Sequence, residues 1–185
     1  VRPQLMVRLD SCTGCGACAA ACPKGAVEIR EGKAHTNRQL CAACGACVPA
    51  CPAELREITG STMTAGEVLE NVLQDKLFYE TSGGGVTLTG GEVLAQPDFA
   101  AAVLRLCKEN GLHTAIETCG FGPWEELEKI LAYTDLALYD VKHTDPVRHK
   151  EGTGVENTRI LENLARLSGE KHIPVVVRDP LIPGF

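Results

Sequence analysis

The chain has 185 residues and a mass of 19.7 kDa, room for one domain and a small second one. Hydrophobic residues make up 44% and charged residues 23%, which excludes a disordered or collagen-like chain. Eighteen Lys and Arg against 24 Asp and Glu leave a net charge of −6, without the basic stripe of a nucleic-acid binder. No run approaches the roughly 18 apolar residues of a membrane span, because the best candidate, 99–107, is broken by Arg105. The N-terminal residues lack the charged-then-apolar layout of a signal peptide, so the cytoplasm is the expected compartment.

Eight of the ten cysteines fall between residues 12 and 51. Residues 12–23, CTGCGACAAACP, and 41–52, CAACGACVPACP, are identical at 8 of 12 positions with an offset of 29, a short internal duplication. Each copy reads C-x2-C-x2-C-x3-C-P. Three thiolates this close wrap one iron–sulfur cube, while the fourth, turned away by the proline, reaches the cluster of the other copy. The spacing predicts that Cys12, Cys15, Cys18 and Cys51 hold one 4Fe-4S cluster, and Cys41, Cys44, Cys47 and Cys22 the second. Zinc calls for two C-x2-C pairs without a third cysteine, and disulfides call for an oxidising compartment, so both fit less well. The small residues Gly14, Gly16, Ala17, Gly45 and Ala46 let backbone N–H groups approach the cluster sulfurs. Between the copies, AVEIR, a Glu31-Gly32 turn and KAHT predict a hairpin, and this segment resembles a two-cluster ferredoxin. Two loaded clusters would add −4 and bring the chain from −6 to about −10.

After Pro52 the pattern changes to alternating helix and strand, opening with a capping-box spacing at Thr64–Glu67. A boundary near residue 60 is expected, giving domains 1–60 and 61–185. Apolar periodicity predicts helices over 65–80, 97–110, 123–133 and 158–168. Between them VTLT (86–89), TAIET (114–118), LALYDVK (136–142) and VVVRDPLI (175–182) read as strands. The order β-α-β-α-β-α-β points to a barrel or an open α/β sheet, in which chemistry gathers at the C-terminal strand ends. The first end, Thr89-Gly90-Gly91-Glu92, sets Gly91-Glu92 where a phosphate loop has Lys and Ser/Thr, and two glycines followed by a carboxylate suit a cationic group such as an ammonium, with a plain Gly-rich turn as the alternative. The second is Glu117-Thr118-Cys119-Gly120. The third is Asp140-x-Lys142, an acid and a base on one strand face, with a structural salt bridge as the alternative. The fourth is Arg178, a guanidinium that could fork onto a carboxylate, with a surface or structural arginine as the alternative. Cys107 falls at an apolar helix position and is expected in the core. His143 and His149 flank Asp145-Pro146 in what reads as a solvated polar loop, and His35, His113 and His172 belong to no constellation.

Together the tandem cysteines, GGE, ETCG, DVKHTD, HKEGTGVENTRILENL and RDPLIPGF resemble glycyl-radical-enzyme activating enzymes of the radical S-adenosylmethionine superfamily, over about residues 10–185. The resemblance implies an α/β fold, a partial (β/α) barrel with an inserted bacterial 2[4Fe-4S] ferredoxin-like domain. It implies that Gly90, Gly91 and Glu92 hold the methionine amino group of S-adenosylmethionine. Asp140 and Lys142 would lie near that ligand, Arg178 would face its carboxylate, and Glu117 and Thr118 would lie near a monovalent cation. The implied activity is reductive cleavage of S-adenosylmethionine to a 5'-deoxyadenosyl radical that installs a glycyl radical on a partner enzyme. The implied partners are a glycyl radical enzyme and an electron donor such as flavodoxin or ferredoxin.

Two departures stand out. Val93 replaces the proline that usually follows GGE, which frees one φ angle and leaves the carboxylate in place. The C-x3-C-x2-C motif of a third, catalytic 4Fe-4S cluster is absent from these residues, and in the family it precedes the ferredoxin insert, before Val1. The chain is therefore expected to be a fragment truncated at both ends and, on its own, inactive. Two other functions remain open on the residues alone: a two-cluster electron-transfer module with a docking α/β domain, and a radical S-adenosylmethionine enzyme acting on a small molecule.

Overall fold

The 29-residue offset of the cysteine motifs runs through the backbone of the whole first unit. In the computed structural model, which describes residues 3–171 and 173–182, the chain divides into units of residues 1–62 and 63–185. The first unit contains β1 (Gln4–Val7), a single turn α1 (Ala17–Ala20), β2 (Val27–Arg30), β3 (Lys33–Thr36) and β4 (Arg56–Thr59). Adding 29 to β1 gives β3, and adding 29 to β2 gives β4. The two antiparallel pairs obey the same relation, since Val27 faces Thr36 in β2·β3 and Arg56 faces Val7 in β1·β4. Backbone residues with positive φ also fall at Gly14 and Ala43, Gly16 and Gly45, Gly25 and Glu54, each pair 29 apart. The hairpin expected between the copies is β2·β3, turned by Glu31 (φ 50°) and Gly32 (φ 70°), as a two-residue primed turn requires. Gly14 packs on this turn so closely that a Cβ there would meet the Gly32 carbonyl oxygen at 2.4 Å. The small core holds Leu5, Cys18, Val27, Ala34 and Cys47, so the cysteines themselves supply part of the buried surface.

The second unit begins with α2 (Ala65–Leu73), whose Thr64 and Glu67 complete the expected capping box. It continues through α3 (Lys76–Ser82), β5 (Gly85–Leu88), a 3-10 turn at Val93–Ala95, α4 (Pro97–Glu109), β6 (His113–Thr118), α5 (Trp124–Leu131), β7 (Leu136–Asp140), α6 (Pro146–Thr153), α7 (Thr158–Glu170) and β8 (Val175–Arg178). The four strands are parallel and lie in the order β5-β6-β7-β8. Sequential order without reversal belongs to a (β/α) barrel segment; a doubly wound sheet would reverse direction from its first strand. Leu104, Ile116, Leu127, Ile130, Tyr139 and Leu167 form the main core between the sheet and its helices. Cys107 is fully buried in a second cluster with Val103 and Leu112, as its apolar position predicts. Among the described residues no helix is long and apolar enough to cross a membrane.

Two expectations change. The helix read over 65–80 is two helices, because the chain breaks at Gln74–Asp75, where Asp75 leaves helical geometry to start α3. The stretch read as a solvated loop around His149 is α6, and His149 is buried, its Nδ1 2.8 Å from the Val155 carbonyl oxygen and 3.1 Å from Thr153 Oγ1. Helix α6 is almost wholly polar, so it leaves no apolar periodicity to read. Its ends hold it: Asp145 accepts from the N–H groups of Val147 and Arg148, Pro146 occupies the first turn, and Gly154 (φ 84°) closes the other end. The readings of His172 and of Pro183–Phe185 lie outside the described residues.

These same N–H bonds, the Arg148 amide's first, hold the Asp145 carboxyl below its usual range. A depressed carboxylate contributes stability above its unfolded pKa, and that contribution is lost as pH falls through the folded value. Asp145→Ala should therefore lower stability at neutral pH and less so in acid, checked by denaturant unfolding at both pH values. The loss of amide-exchange protection should concentrate in Pro146–Thr153.

Candidate functional site

In the first unit the eight motif cysteines line two cavities. Cys12, Cys15, Cys18 and Cys51 surround one with Arg56 and Leu55, while Cys22, Cys41, Cys44 and Cys47 surround the other with Val27 and Leu5. Each cavity thus takes three cysteines from one copy and its fourth from the other. Exposure repeats with the offset: Cys18 and Cys47 are buried, Cys15 and Cys44 exposed, and the remaining four half-buried. Backbone amides point at the sulfurs, with Ala26 N to Cys22 Sγ at 3.3 Å and its counterpart Leu55 N to Cys51 Sγ at 3.4 Å. Ala34 N lies 3.4 Å from Cys12 Sγ. These amides stabilise thiolates: those of Gly14 and Ala34 lower the pKa of Cys12, and those of Ala26 and Lys24 that of Cys22. Four cysteines around a space, with N–H groups aimed at their sulfurs, fit an iron–sulfur cluster.

Sequence reading missed Arg56. It is 3% exposed, and its guanidinium donates to Thr36 Oγ1 (3.1 Å), to the Ala34 carbonyl (2.9 Å) and toward Cys47 Sγ (3.8 Å). The two-residue alternation of β4 was its signal, since it places Arg56 on the inward face with Ile58.

In the second unit the four strand ends come together. Arg178 bridges Glu117 and Asp140, with Nη1 to Glu117 Oε1 and Nε to Asp140 Oδ1 both at 2.7 Å. Lys142 Nζ meets Asp140 Oδ2 at 2.8 Å, and the Thr89 hydroxyl donates to Glu117. The strand register explains this, because Asp140 stands opposite Arg178 in β7·β8, and Glu117 opposite Leu138, two residues before Asp140, in β6·β7. Arg178 and Thr89 hold Glu117 below its ordinary carboxylate range. Partial burial pushes Asp140 up, but the bonds from Arg178 and Lys142 outweigh it and leave it lowered. Those carboxylates in turn raise Arg178.

The side chain of Glu92 faces the ETCG turn. It accepts from Thr118 Oγ1 (2.6 Å), Cys119 N (2.9 Å), Cys119 Sγ (3.0 Å) and Leu94 N (3.2 Å). Burial first, then this carboxylate, push the Cys119 thiol up to about 11, so it is an unreactive thiol and a hydrogen-bond donor. Two further buried groups fix the turn. Asn163 Nδ2 donates to the carbonyls of Gly120 (2.8 Å) and Gly122 (3.0 Å), and Tyr139 passes beside Gly120 to reach the Ile160 carbonyl at 2.7 Å. Gly120 has φ 65°, and a Cβ on it would lie 1.7 Å from the Tyr139 hydroxyl. By contrast, a Cβ on Gly90 or Gly91 would meet nothing within 4 Å, so the backbone of this loop borders open space.

Sequential parallel strands with charged residues at their C-terminal ends, joined to a unit with two cysteine-lined cavities, define an iron–sulfur protein of the (β/α) barrel class. The chain belongs to the radical SAM superfamily, whose profile matches residues 43–185, and a 4Fe-4S dicluster domain matches residues 5–66. It is 48% identical to the choline trimethylamine-lyase activating enzyme of Oleidesulfovibrio alaskensis, over 98% of this chain and 59% of that protein. It is 46% identical to the (2S)-3-sulfopropanediol sulfolyase activating enzyme of Bilophila wadsworthia, over 92% of this chain and 57% of that protein. It is 43% identical to the trans-4-hydroxy-L-proline dehydratase activating enzyme of Clostridioides difficile, over 98% and 60%. Among solved structures, a domain of pyruvate-formate lyase-activating enzyme from Bacteroides vulgatus superposes with a TM-score of 0.51 at 36% identity, covering 55% of this chain and 62% of that one. The chain thus spans between 57% and 60% of the length of these three curated relatives.

Gly120→Ala should be strongly destabilising, by about 2 kcal/mol or more, because it combines a left-handed φ with an overlap on a buried phenol; thermal unfolding checks this. Arg178→Met should raise the titration midpoints of Glu117 and Asp140 toward ordinary carboxylate values, read by NMR of the side-chain carboxyls. Because both folded values are depressed, wild-type stability falls as pH drops below about 4. The variant should be less stable at pH 7 and show a shallower acid decline.

Proposed function

We propose that this protein acts as a glycyl-radical-enzyme activating enzyme, which cleaves S-adenosylmethionine reductively to a 5'-deoxyadenosyl radical and installs a glycyl radical on a partner enzyme. The observation that carries the proposal is similarity along nearly the whole chain to three activating enzymes whose names specify a lyase, a sulfolyase and a dehydratase. Cys12, Cys15, Cys18 and Cys51 would hold one 4Fe-4S cluster, and Cys22, Cys41, Cys44 and Cys47 the other, in the crossed sets that line the two cavities. Such clusters supply single electrons. The residue boundaries of the ferredoxin-like and barrel domains, near 60, are part of the same reading.

The strand-end residues suit the amino-acid portion of S-adenosylmethionine by charge. Glu117 and Asp140 carry two negative charges and Arg178 and Lys142 two positive ones, a neutral set that an ammonium–carboxylate zwitterion can enter by exchanging partners. Arg178 would turn to the ligand carboxylate, and Asp140 would take the ammonium with the open backbone of Gly90 and Gly91. Glu92 would act indirectly, by holding Thr118 and Cys119. A monovalent cation near Glu117 and Thr118, an electron donor such as flavodoxin or ferredoxin, and a cytoplasmic setting that keeps the cysteines reduced complete the proposal.

The test uses protein that carries a C-x3-C-x2-C segment ahead of residue 1, loaded with iron and sulfide without oxygen and reduced with dithionite. 5'-Deoxyadenosine should form from S-adenosylmethionine, with a glycyl-radical doublet in the EPR spectrum of the partner enzyme. Nucleoside without any protein radical would move the target to a small molecule, and no nucleoside from fully loaded protein would overturn the proposal.

A further inference from the structure

The duplication in the first unit is close to symmetric in backbone, and among its described buried positions the symmetry of charge is broken at one. Position 27 carries valine, and its counterpart 29 residues later carries Arg56. Both side chains are buried, at 8% and 3% exposure, and each lines the cavity nearest to it. A buried guanidinium without a counter-charge costs several kcal/mol. Among the described residues Arg56 meets only a hydroxyl, a carbonyl and the sulfur of Cys47, and no carboxylate. Its charge is balanced if the cysteines around it are thiolates.

The contacts of Arg56 reach both cysteine sets. It lines the cavity of Cys12, Cys15, Cys18 and Cys51, while its Nη1 points at Cys47, which belongs to the other cavity. Its Nη2 holds the Ala34 carbonyl, and the amide of the same residue points at Cys12 Sγ. In the other half the equivalent carbonyl, that of Leu5, takes its bond from Arg38, which is exposed, so water screens that charge.

We propose that Arg56 is a potential-setting residue: a fixed, buried positive charge between the two cluster sites that favours their reduced states and makes two otherwise repeated sites unequal. The proposal rests on the cluster assignment made above. Reducing a cluster adds one negative charge to a site that already carries net negative charge, so a desolvated cation beside it raises the reduction potential.

The experiment is an anaerobic redox titration of the iron-loaded chain, followed by EPR, for wild type, Arg56→Val, Arg56→Gln, Arg56→Lys and Arg38→Gln. Valine is the residue that the sister position already accommodates, and glutamine gives a second neutral variant if valine impairs loading. Each neutral Arg56 variant should make reduction of at least one cluster about tenfold less favourable, a fall of about 59 mV for a one-electron couple. Arg56→Lys and Arg38→Gln should stay close to wild type. Loaded neutral variants with wild-type potentials would overturn the role of Arg56. Lysine falling as far as valine would overturn it too, because geometry rather than charge would then be responsible. Iron and sulfide content is read separately: wild-type chain that takes up less than two clusters contradicts the cluster assignment itself.

Discussion

Each half of the cysteine-rich unit depends on the other for the fourth wall of its cavity. Cys51 closes the space framed by Cys12, Cys15 and Cys18, and Cys22 closes the one framed by Cys41, Cys44 and Cys47. Neither copy can complete a site alone, so the duplication is interlocked, unlike two beads on a string. The strands obey the same exchange, because β1 pairs with β4 and the hairpin β2·β3 lies between them in the sequence. So small a unit buries little apolar surface, and cysteines account for part of its core. Cluster binding therefore couples to folding here more than it would in a unit with a large core.

The second unit solves a different problem, the placing of charged residues at the edge of a buried parallel sheet. Parallel register brings the ends of β5 to β8 side by side, so Glu117 and Arg178, 61 positions apart, meet without any long loop, and Thr89 reaches the same Glu117 from the other side. What keeps this edge in place lies behind it. Glu92, Tyr139 and Asn163 each spend their polar atoms on the Thr118–Gly122 turn or the helix beside it. Tyr139 fills the space that the missing Gly120 side chain leaves, so glycine at 120 is a packing requirement as well as a backbone one.

Much of this was legible in the sequence, and the failures share a cause. The crossed cysteine sets, the β2·β3 hairpin, the four parallel strands and the capping box at Thr64 each rest on a local spacing. Helix α6 was not legible, because only its caps at Asp145, Pro146 and Gly154 mark it and its interior has no apolar stripe. The β1·β4 pair was legible in principle, since projecting the 29-residue offset onto the flanks of the motifs predicts it. The contacts of Glu92 were not legible, because a linear spacing of three residues does not report that its carboxylate accepts from a hydroxyl, a thiol and two amides of the neighbouring turn.

The self-pairing at the strand ends bears on what such a site can bind. A lone exposed arginine would attract any anion, and a lone aspartate any cation. Here Arg178 already spans Glu117 and Asp140, and Asp140 also holds Lys142, so the charges cancel within the site. In the proposed reading a ligand with only one charge would break a pair and leave its former partner uncompensated. A ligand with both charges can replace each broken pair with another of the same kind. Under the proposed function, selection would then come from the spacing of the two charges on the ligand, so the site would discriminate by geometry.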